Sequence, residues 1–269
     1  MINAGVIGFG YWGPNIFRNF NENPNIQVLK ICDISLGRLE AVKHSYPKIE
    51  LTDQVEEVVF DKNIDLIAIV TPVFSHFELA KKSLENGKHV FVEKPFTYTS
   101  DQAKQLIDLA LKKNLIIMVD HTFLFTNSVL KIKELIVNNQ LGNLLYYDSV
   151  RINLGLFQHD VNVIWDLAPH DIAILNYLID DLEPLSVNAI GSQHFGTQQE
   201  DVAYLHIKFN NNFIANFHVN WLSPAKIRQT IIAGDQKMLL WNDLLSDEKI
   251  KVYDKGVDVK NKKGVYDLL

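Results

Sequence analysis

The sequence predicts an α/β fold in two parts: a doubly wound parallel sheet over residues 1–120, then a mostly antiparallel open sheet with helices on one face over 121–269. Three observations carry this. Short β-branched runs alternate with amphipathic stretches through the first 120 residues, and a glycine-rich turn, Gly8-Phe-Gly10-Tyr-Trp-Gly13, follows the first run. After Asp120 the alternation gives way to consecutive apolar runs with no helical stretch between them. Strict alternation suits parallel strands joined by crossover helices, whereas consecutive strands suit antiparallel pairing.

The strand candidates of the first part are Gly5–Ile7, Val28–Cys32, Ile64–Val70, His89–Val92 and Leu115–Val119. Helix candidates lie between them at Trp12–Asn21, Ser35–Ser45, Val55–Phe60, Ser75–Asn86 and Ser100–Lys113. Ser75 and Ser100 are expected N-caps, because a hydroxyl there accepts a bond from an otherwise unpaired amide of the first turn, and Gly87 is expected to stop its helix. Beyond Asp120 a helix is expected at Ser128–Asn138, a strand at Leu144–Ile152 and a helix ending near Leu178. The runs Leu185–Ile190, Val202–Phe209, Phe213–Val219, Ile227–Ile232 and Lys237–Trp241 follow, with Asn210-Asn211-Asn212 and Gly234-Asp235 as turns. The change of rhythm near 119–126 is the boundary signal.

The 269 residues are 47% hydrophobic and 22% charged, which suits a folded chain with an ample core and excludes disordered or collagen-like classes. A formal net charge of −6 gives no general attraction to nucleic acid or to an anionic membrane, and the lysine-rich run 255–263 reads as a solvated tail. The single cysteine, Cys32, forms no internal disulfide and suits a reducing compartment. No run has the length of a membrane span, and the start, Met1-Ile-Asn-Ala, lacks a basic segment before its apolar run. A cytoplasmic location is the expectation.

In the turn, Gly8, Gly10 and Gly13 permit a tight bend, close approach of backbone to a pyrophosphate and close helix packing, while the helix N-terminus offers free N–H donors. The bare pattern also occurs in turns without a ligand. Asp33, about 20 residues after Gly13, strengthens the dinucleotide reading, since a carboxylate ending the second strand accepts bonds from an unphosphorylated ribose. Residues 1–120 are therefore read as an NAD(P)-binding Rossmann domain that prefers NAD(H) to NADP(H), because Asp33 repels a 2′-phosphate. Arg38, one turn into the next helix, stands either as a partner for such a phosphate or as a solvated helix arginine.

Glu93-Lys94-Pro95 follows the His89–Val92 strand at its carboxyl end, the ligand-binding side of a parallel sheet, although a lysine there is often only a solvated charge. Pro95 fixes the local turn in either isomer. In Trp165-Asp166-Leu-Ala-Pro169-His170-Asp171 an acid and an imidazole stand four apart, on one face if the stretch is helical. Alternatively Asp166 caps a helix beginning near Pro169 and His170 is a packed or surface imidazole. Trp165, Trp221 and Trp241 are read as core or interface.

Val6-Ile-Gly-Phe-Gly-Tyr-Trp-Gly13, Thr71-Pro72, Glu93-Lys94-Pro95, the Asp166/His170 pair and the antiparallel second half together resemble the glucose-fructose oxidoreductase/inositol dehydrogenase (Gfo/Idh/MocA) family across nearly the whole chain. The stretches Asn153–Gln158, Asp160–Asp171 and Trp221–Arg228 look like its surface-polysaccharide and nucleotide-sugar branch. The resemblance implies hydride transfer between NAD(P) and a secondary alcohol or ketone of a sugar, with His170 exchanging the proton, Lys94 stabilising the alkoxide-like oxygen and Asp166 orienting substrate or imidazole. Cofactor contacts are implied for Tyr11, Trp12, Thr71, Pro72, His76, Glu93 and Lys94 beside the glycines, Asp33 and Arg38. His121, Arg151, Gln158 and Asn162 are the substrate-binding candidates, Arg151 through a bidentate contact to a carboxylate or phosphate, although each also reads as an ordinary polar residue. A homodimer or homotetramer through the C-terminal sheet is implied as well.

Family members continue past this sheet with a further strand and helix, so the chain is expected to lack that final piece. A catalytically inactive NAD-binding sensor or scaffold subunit is the alternative reading. A metal-dependent hydrolase, suggested by His159-Asp160 and His170-Asp171, is disfavoured because a metal site needs three or more convergent ligands, and no metal is expected.

Overall fold

The computed structural model describes the chain except Leu156, His159, Gly196, Thr197, residues 260–265 and Leu269, and gives backbone only for Val257–Val259 and Tyr266–Leu268. Contacts divide the chain into two compact units, Met1–Asp120 and His121–Leu269.

The first unit is a six-stranded parallel sheet. Its strands are β1 (Ile2–Ile7), β2 (Ile26–Cys32), β3 (Glu50–Thr52), β4 (Leu66–Ile69), β5 (His89–Val92) and β6 (Ile117–Val119), in the spatial order β3-β2-β1-β4-β5-β6. The helices are α1 (Gly13–Glu22), α2 (Leu36–Ser45), α3 (Val55–Val59), α4 (His76–Glu85) and α5 (Ser100–Lys113). Both faces of the sheet are covered, which is why its strands are apolar runs rather than alternating ones. Ala4, Val6, Val28 and Ala68 pack with Ile16, Phe17, Leu39 and Val42 of α1 and α2. Ile7, Ile67, Ile69, Val90 and Val92 pack with Val58, Ala80, Leu84 and Leu106 of α3, α4 and α5. Because every strand runs the same way, all the strand-end residues that carry motifs gather on one edge.

Local details correct several expectations. Ser100 is the first residue of α5, not its cap. Thr99 caps the helix by accepting from the Gln102 amide, and the Gln102 side chain answers the Thr99 amide in a capping box. Ser75 does not cap α4 through its side chain. A 3-10 turn over Val73–Ser75 precedes the helix, and the Ser75 hydroxyl donates to the Pro72 carbonyl instead. Strand β3 is only three residues long, too short to show a period.

The second unit contains α6 (Asn127–Val137), β7 (Leu144–Leu154), α7 (Val163–Leu178), β8 (Pro184–Ser192), β9 (Val202–Phe209), β10 (Ile214–Asn220), β11 (Leu222–Gly234), β12 (Met238–Asn242) and β13 (Ile250–Tyr253). Its sheet order is β13-β12-β11-β7-β10-β9-β8, antiparallel except for the parallel β7/β10 pair. A separate hairpin joins β14 (Val257–Val259) to β15 (Tyr266–Leu268), so the run read as a solvated tail contains strand where it is described. One sheet face packs under α6 and α7: Tyr147, Leu205, Phe217, Val219, Ile232 and Trp241 meet Ile132, Ala168, Ile174 and Leu178. Trp221 and Trp241 belong to this core, while Trp165 is exposed.

Helix α7 overturns the idea of a start near Pro169. It begins at Val163, where the Asn162 side chain accepts from the Trp165 amide, and runs through Pro169 in its interior. Proline there forgoes one helical hydrogen bond, a loss tolerated because the apolar face of α7 is held by the core. No described helix is long and apolar enough to cross a membrane.

Candidate active site

The carboxyl edge of the first sheet gathers Gly8 after β1, Asp33 after β2, Thr71-Pro72 after β4, Glu93-Lys94 after β5 and Asp120 after β6. The turn requires its glycines. Gly8 has φ +97°, and a Cβ there would lie 2.5 Å from the Val70 carbonyl oxygen. A Cβ on Gly13 would lie 2.7 Å from the Gly8 oxygen, which explains the close approach of α1 to the turn. At Gly10 a Cβ would meet nothing nearer than Arg38 Nη1 at 3.9 Å, so the space above the turn is open. Tight backbone below and open space above fit a bound pyrophosphate, with the α1 amides as donors.

Asp33 is buried, and its carboxylate accepts from the Phe9 amide at 2.6 Å and the Ser35 amide at 2.8 Å. It therefore ties the glycine turn to the end of β2. Arg38 Nη1 stands 3.4 Å from Asp33 Oδ2 with its side chain more than half exposed, so both residues share the corner where β2 ends beside the glycine turn. Tyr11 and Trp12 flank the turn with exposed rings packed edge to face. Cys32, under the same corner, is an inert buried thiol whose pKa is pushed up to about 11 by burial and then by neighbouring carboxylates.

His76 is fully buried at the head of α4, with Nε2 2.8 Å from the Thr71 carbonyl and Nδ1 2.9 Å from the Pro95 carbonyl. It is a clamp between the β4 and β5 loops rather than an open contact for a cofactor. The Lys94–Pro95 bond is cis, and the Lys94 amide donates to Glu93 Oε2 at 3.1 Å. Burial, followed by the Asp120 carboxylate, pushes the Glu93 carboxyl up to about 8, with Lys94 opposing. Asp120 escaped the sequence reading as a site residue. Its signal was present, however, since it ends the strand beside the Glu93 strand.

In the second unit, Asp166 and His170 do stand one turn apart on α7. Asp166 Oδ2 accepts from the Trp221 indole at 3.1 Å, so the motif tryptophan positions the motif carboxylate. His170 meets the Phe123 ring edge to face, centroids 5.0 Å apart. Arg151 is not an open anion receptor. It is buried and grips the chain's own Asp171 through two bonds of 2.8 Å. Its guanidinium also covers Phe123, as does that of Arg228, at 4.6 and 5.5 Å from the ring centroid. Sequence reasoning missed this cluster because Asp171, Phe123 and Arg228 come together only through tertiary packing. Asn162 is the α7 cap and donates to Glu200. Gln158 is half-buried, and His121 opens the 3-10 turn Thr122–Phe125. Among the described residues no group of three or more His, Cys, Asp or Glu is placed to hold a metal, and His159 lies outside them.

Comparison with known proteins agrees with this geometry. Residues 2–121 match the oxidoreductase family with an NAD-binding Rossmann fold, and residues 129–240 match the GFO/IDH/MocA C-terminal domain. The uncharacterized oxidoreductase YdgJ of Escherichia coli (strain K12) is 34% identical over 250 residues, covering 87% of this chain and 69% of its own length. The scyllo-inositol 2-dehydrogenase (NADP(+)) IolW of Bacillus subtilis (strain 168) is 27% identical over 77% of this chain, which spans only 59% of that relative. The WlbA dehydrogenase of Bordetella pertussis, solved with NADH and UDP-GlcNAcA, superposes with a TM-score of 0.86 at 16% identity, over 94% of this chain and 77% of that one. With both family domains matched in sequence order on the two units, the chain belongs to the Gfo/Idh/MocA family of NAD-binding oxidoreductases.

Proposed function

We propose that the protein transfers a hydride between NAD(H) and a secondary hydroxyl or ketone of a sugar, with a nucleotide-linked sugar as the substrate class. The observation that carries this reading is the joint placement, on one edge of the first sheet, of a glycine turn closed by Asp33 and of Lys94. Bound at that edge, the nicotinamide supplies the hydride acceptor or donor. Gly8, Gly10 and Gly13 would admit the pyrophosphate, and Asp33 would bind the ribose diol, favouring NAD(H) over NADP(H). Lys94, as an ammonium, stabilises the negative charge that develops on the substrate oxygen. His170 takes the hydroxyl proton on oxidation and returns it on reduction, and Asp166, fixed by Trp221, orients the polar face of α7. The nucleotide-sugar class draws its support from the likeness to WlbA.

NADH binding followed by fluorescence, then hydride transfer with UDP-sugars and scyllo-inositol, tests the reading. His170→Ala is expected to lower turnover by roughly 10²–10⁴-fold while NADH still binds, and Lys94→Ala to lower turnover as well. Full activity in both variants would remove the mechanism. Asp33→Ser is expected to weaken NADH binding, and an unchanged affinity would remove the ribose assignment.

A further inference from the structure

We propose that Glu93 and Asp120 hold one proton between them and act as the positioning pair for Lys94, presenting it with a single negative charge instead of two. The inference deepens, and rests on, the reading of Lys94 as the group that stabilises the substrate oxygen. Its basis is the sheet register. Val92 of β5 is paired with Val119 of β6, and the Asp120 amide donates to the Val92 carbonyl at 2.8 Å, so the next residues, Glu93 and Asp120, emerge side by side. They are 7% and 8% exposed, so two carboxyl groups are buried next to each other at adjacent strand ends. Two ionised carboxylates buried side by side repel and lose their hydration, so the pair is held with one of them protonated.

The surroundings favour the protonated form of Glu93. Burial is the largest influence on it, followed by Asp120, and both favour the protonated carboxyl against the smaller opposing effects of the Lys94 charge and of the Lys94 amide bonded to Oε2. The charged groups that act on it most are Asp120 from β6 and Lys94 from its own strand end. The next titratable side chain along this edge is His76 of α4, bonded to the Pro95 carbonyl. Near neutral pH the pair carries one negative charge against one ammonium. Loss of the shared proton on the alkaline side doubles that charge, which grips the Lys94 ammonium more tightly and leaves less of its field for a substrate oxygen.

Infrared spectroscopy of the full chain across pH 6–10 tests the pair directly. A protonated-carboxyl band is expected at pH 7, lost with a midpoint near pH 8, absent in Glu93→Gln, and lost about one pH unit earlier in Asp120→Asn. No such band in the wild type at pH 7, or an unchanged band in Glu93→Gln, would overturn the proposal. If Glu93→Gln does not fold, the Asp120→Asn midpoint decides, an unshifted midpoint counting against the pair. The link to Lys94 is read by NMR of reductively methylated lysines, with the Lys94 signal assigned through Lys94→Arg. An inflection of that signal near pH 8, moved about one pH unit lower in Asp120→Asn and absent in Glu93→Gln, supports the positioning role, and a featureless signal refutes it. Neither readout needs turnover, so a chain that shows both signatures without hydride transfer counts against the functional reading alone.

Discussion

The pair Arg151–Asp171 sets the stability of the second unit and the seat of His170, and its energetics can be worked from the structure. Arg151 on β7 and Asp171 on α7 are 4% and 2% exposed and share two bonds of 2.8 Å. Removing either charge leaves its partner buried and uncompensated, at a cost of about 3–5 kcal/mol. The two removals are not equivalent. Arg228 lies directly opposite Arg151 in the β7/β11 register, and its pKa is lowered by burial first and by Arg151 next. Asp171→Asn therefore leaves two neighbouring guanidinium groups and falls at the upper end, about 5 kcal/mol, whereas Arg151→Met relieves Arg228 and falls near about 3. The double replacement Arg151→Met/Asp171→Leu, which leaves no buried charge from the pair, is expected to cost less than either single change. Urea unfolding followed by the fluorescence of Trp221 and Trp241, both in the core of this unit, measures the series. A cost below about 1 kcal/mol for Asp171→Asn, or a smaller one than for Arg151→Met, would refute the reasoning.

Three further outcomes are expected. Gly8→Ala, at φ +97° and against the Val70 carbonyl, costs at least about 2 kcal/mol and abolishes NADH binding, and a normally stable variant that binds NADH would contradict the turn geometry. In the folded chain Glu93 keeps its proton up to about pH 8, whereas unfolded it releases it near the ordinary value of 4.5. The native state thus binds more protons across that window, and stability falls with rising pH by an amount on the order of a few kcal/mol. Thermal denaturation at pH 5 and 9 should show this slope flattened in Glu93→Gln, and an identical slope would speak against it. Thr99→Ala should cost about 1 kcal/mol through loss of the α5 capping box while Ser100→Ala costs almost nothing, a contrast that chemical denaturation resolves.

The first unit was legible because its signals are local. β-branched runs, glycines at a forced turn and an acid at a strand end act within about 25 residues of each other, and doubly wound topology then leaves little choice of edge. Where reading failed, the deciding atoms were elsewhere. Ser75 has the chemistry of a cap, but a preceding 3-10 turn had already satisfied the helix start. Asn162, a substrate-contact candidate, also serves as the cap of α7, while Pro169, one alternative for a helix start, lies inside a helix stabilised by the sheet beneath it.

The sequence by itself determined the order of the longer elements, the glycine turn with Asp33 and the strand-end position of Lys94, since each depends on near neighbours and on strand direction. The short β3, the strands after β12 and the helical spacing of Asp166 and His170 across Pro169 came from the structure. Only the tertiary structure decided what those side chains touch. Arg151 faces Asp171 rather than a ligand, Trp221 holds Asp166, His76 bridges two loops, and Glu93 meets Asp120 across adjacent strands. These partners are 5 to 55 residues apart in the chain, and burial, which turns such a contact into a shifted proton or a buried ion pair, is a property of packing rather than of composition.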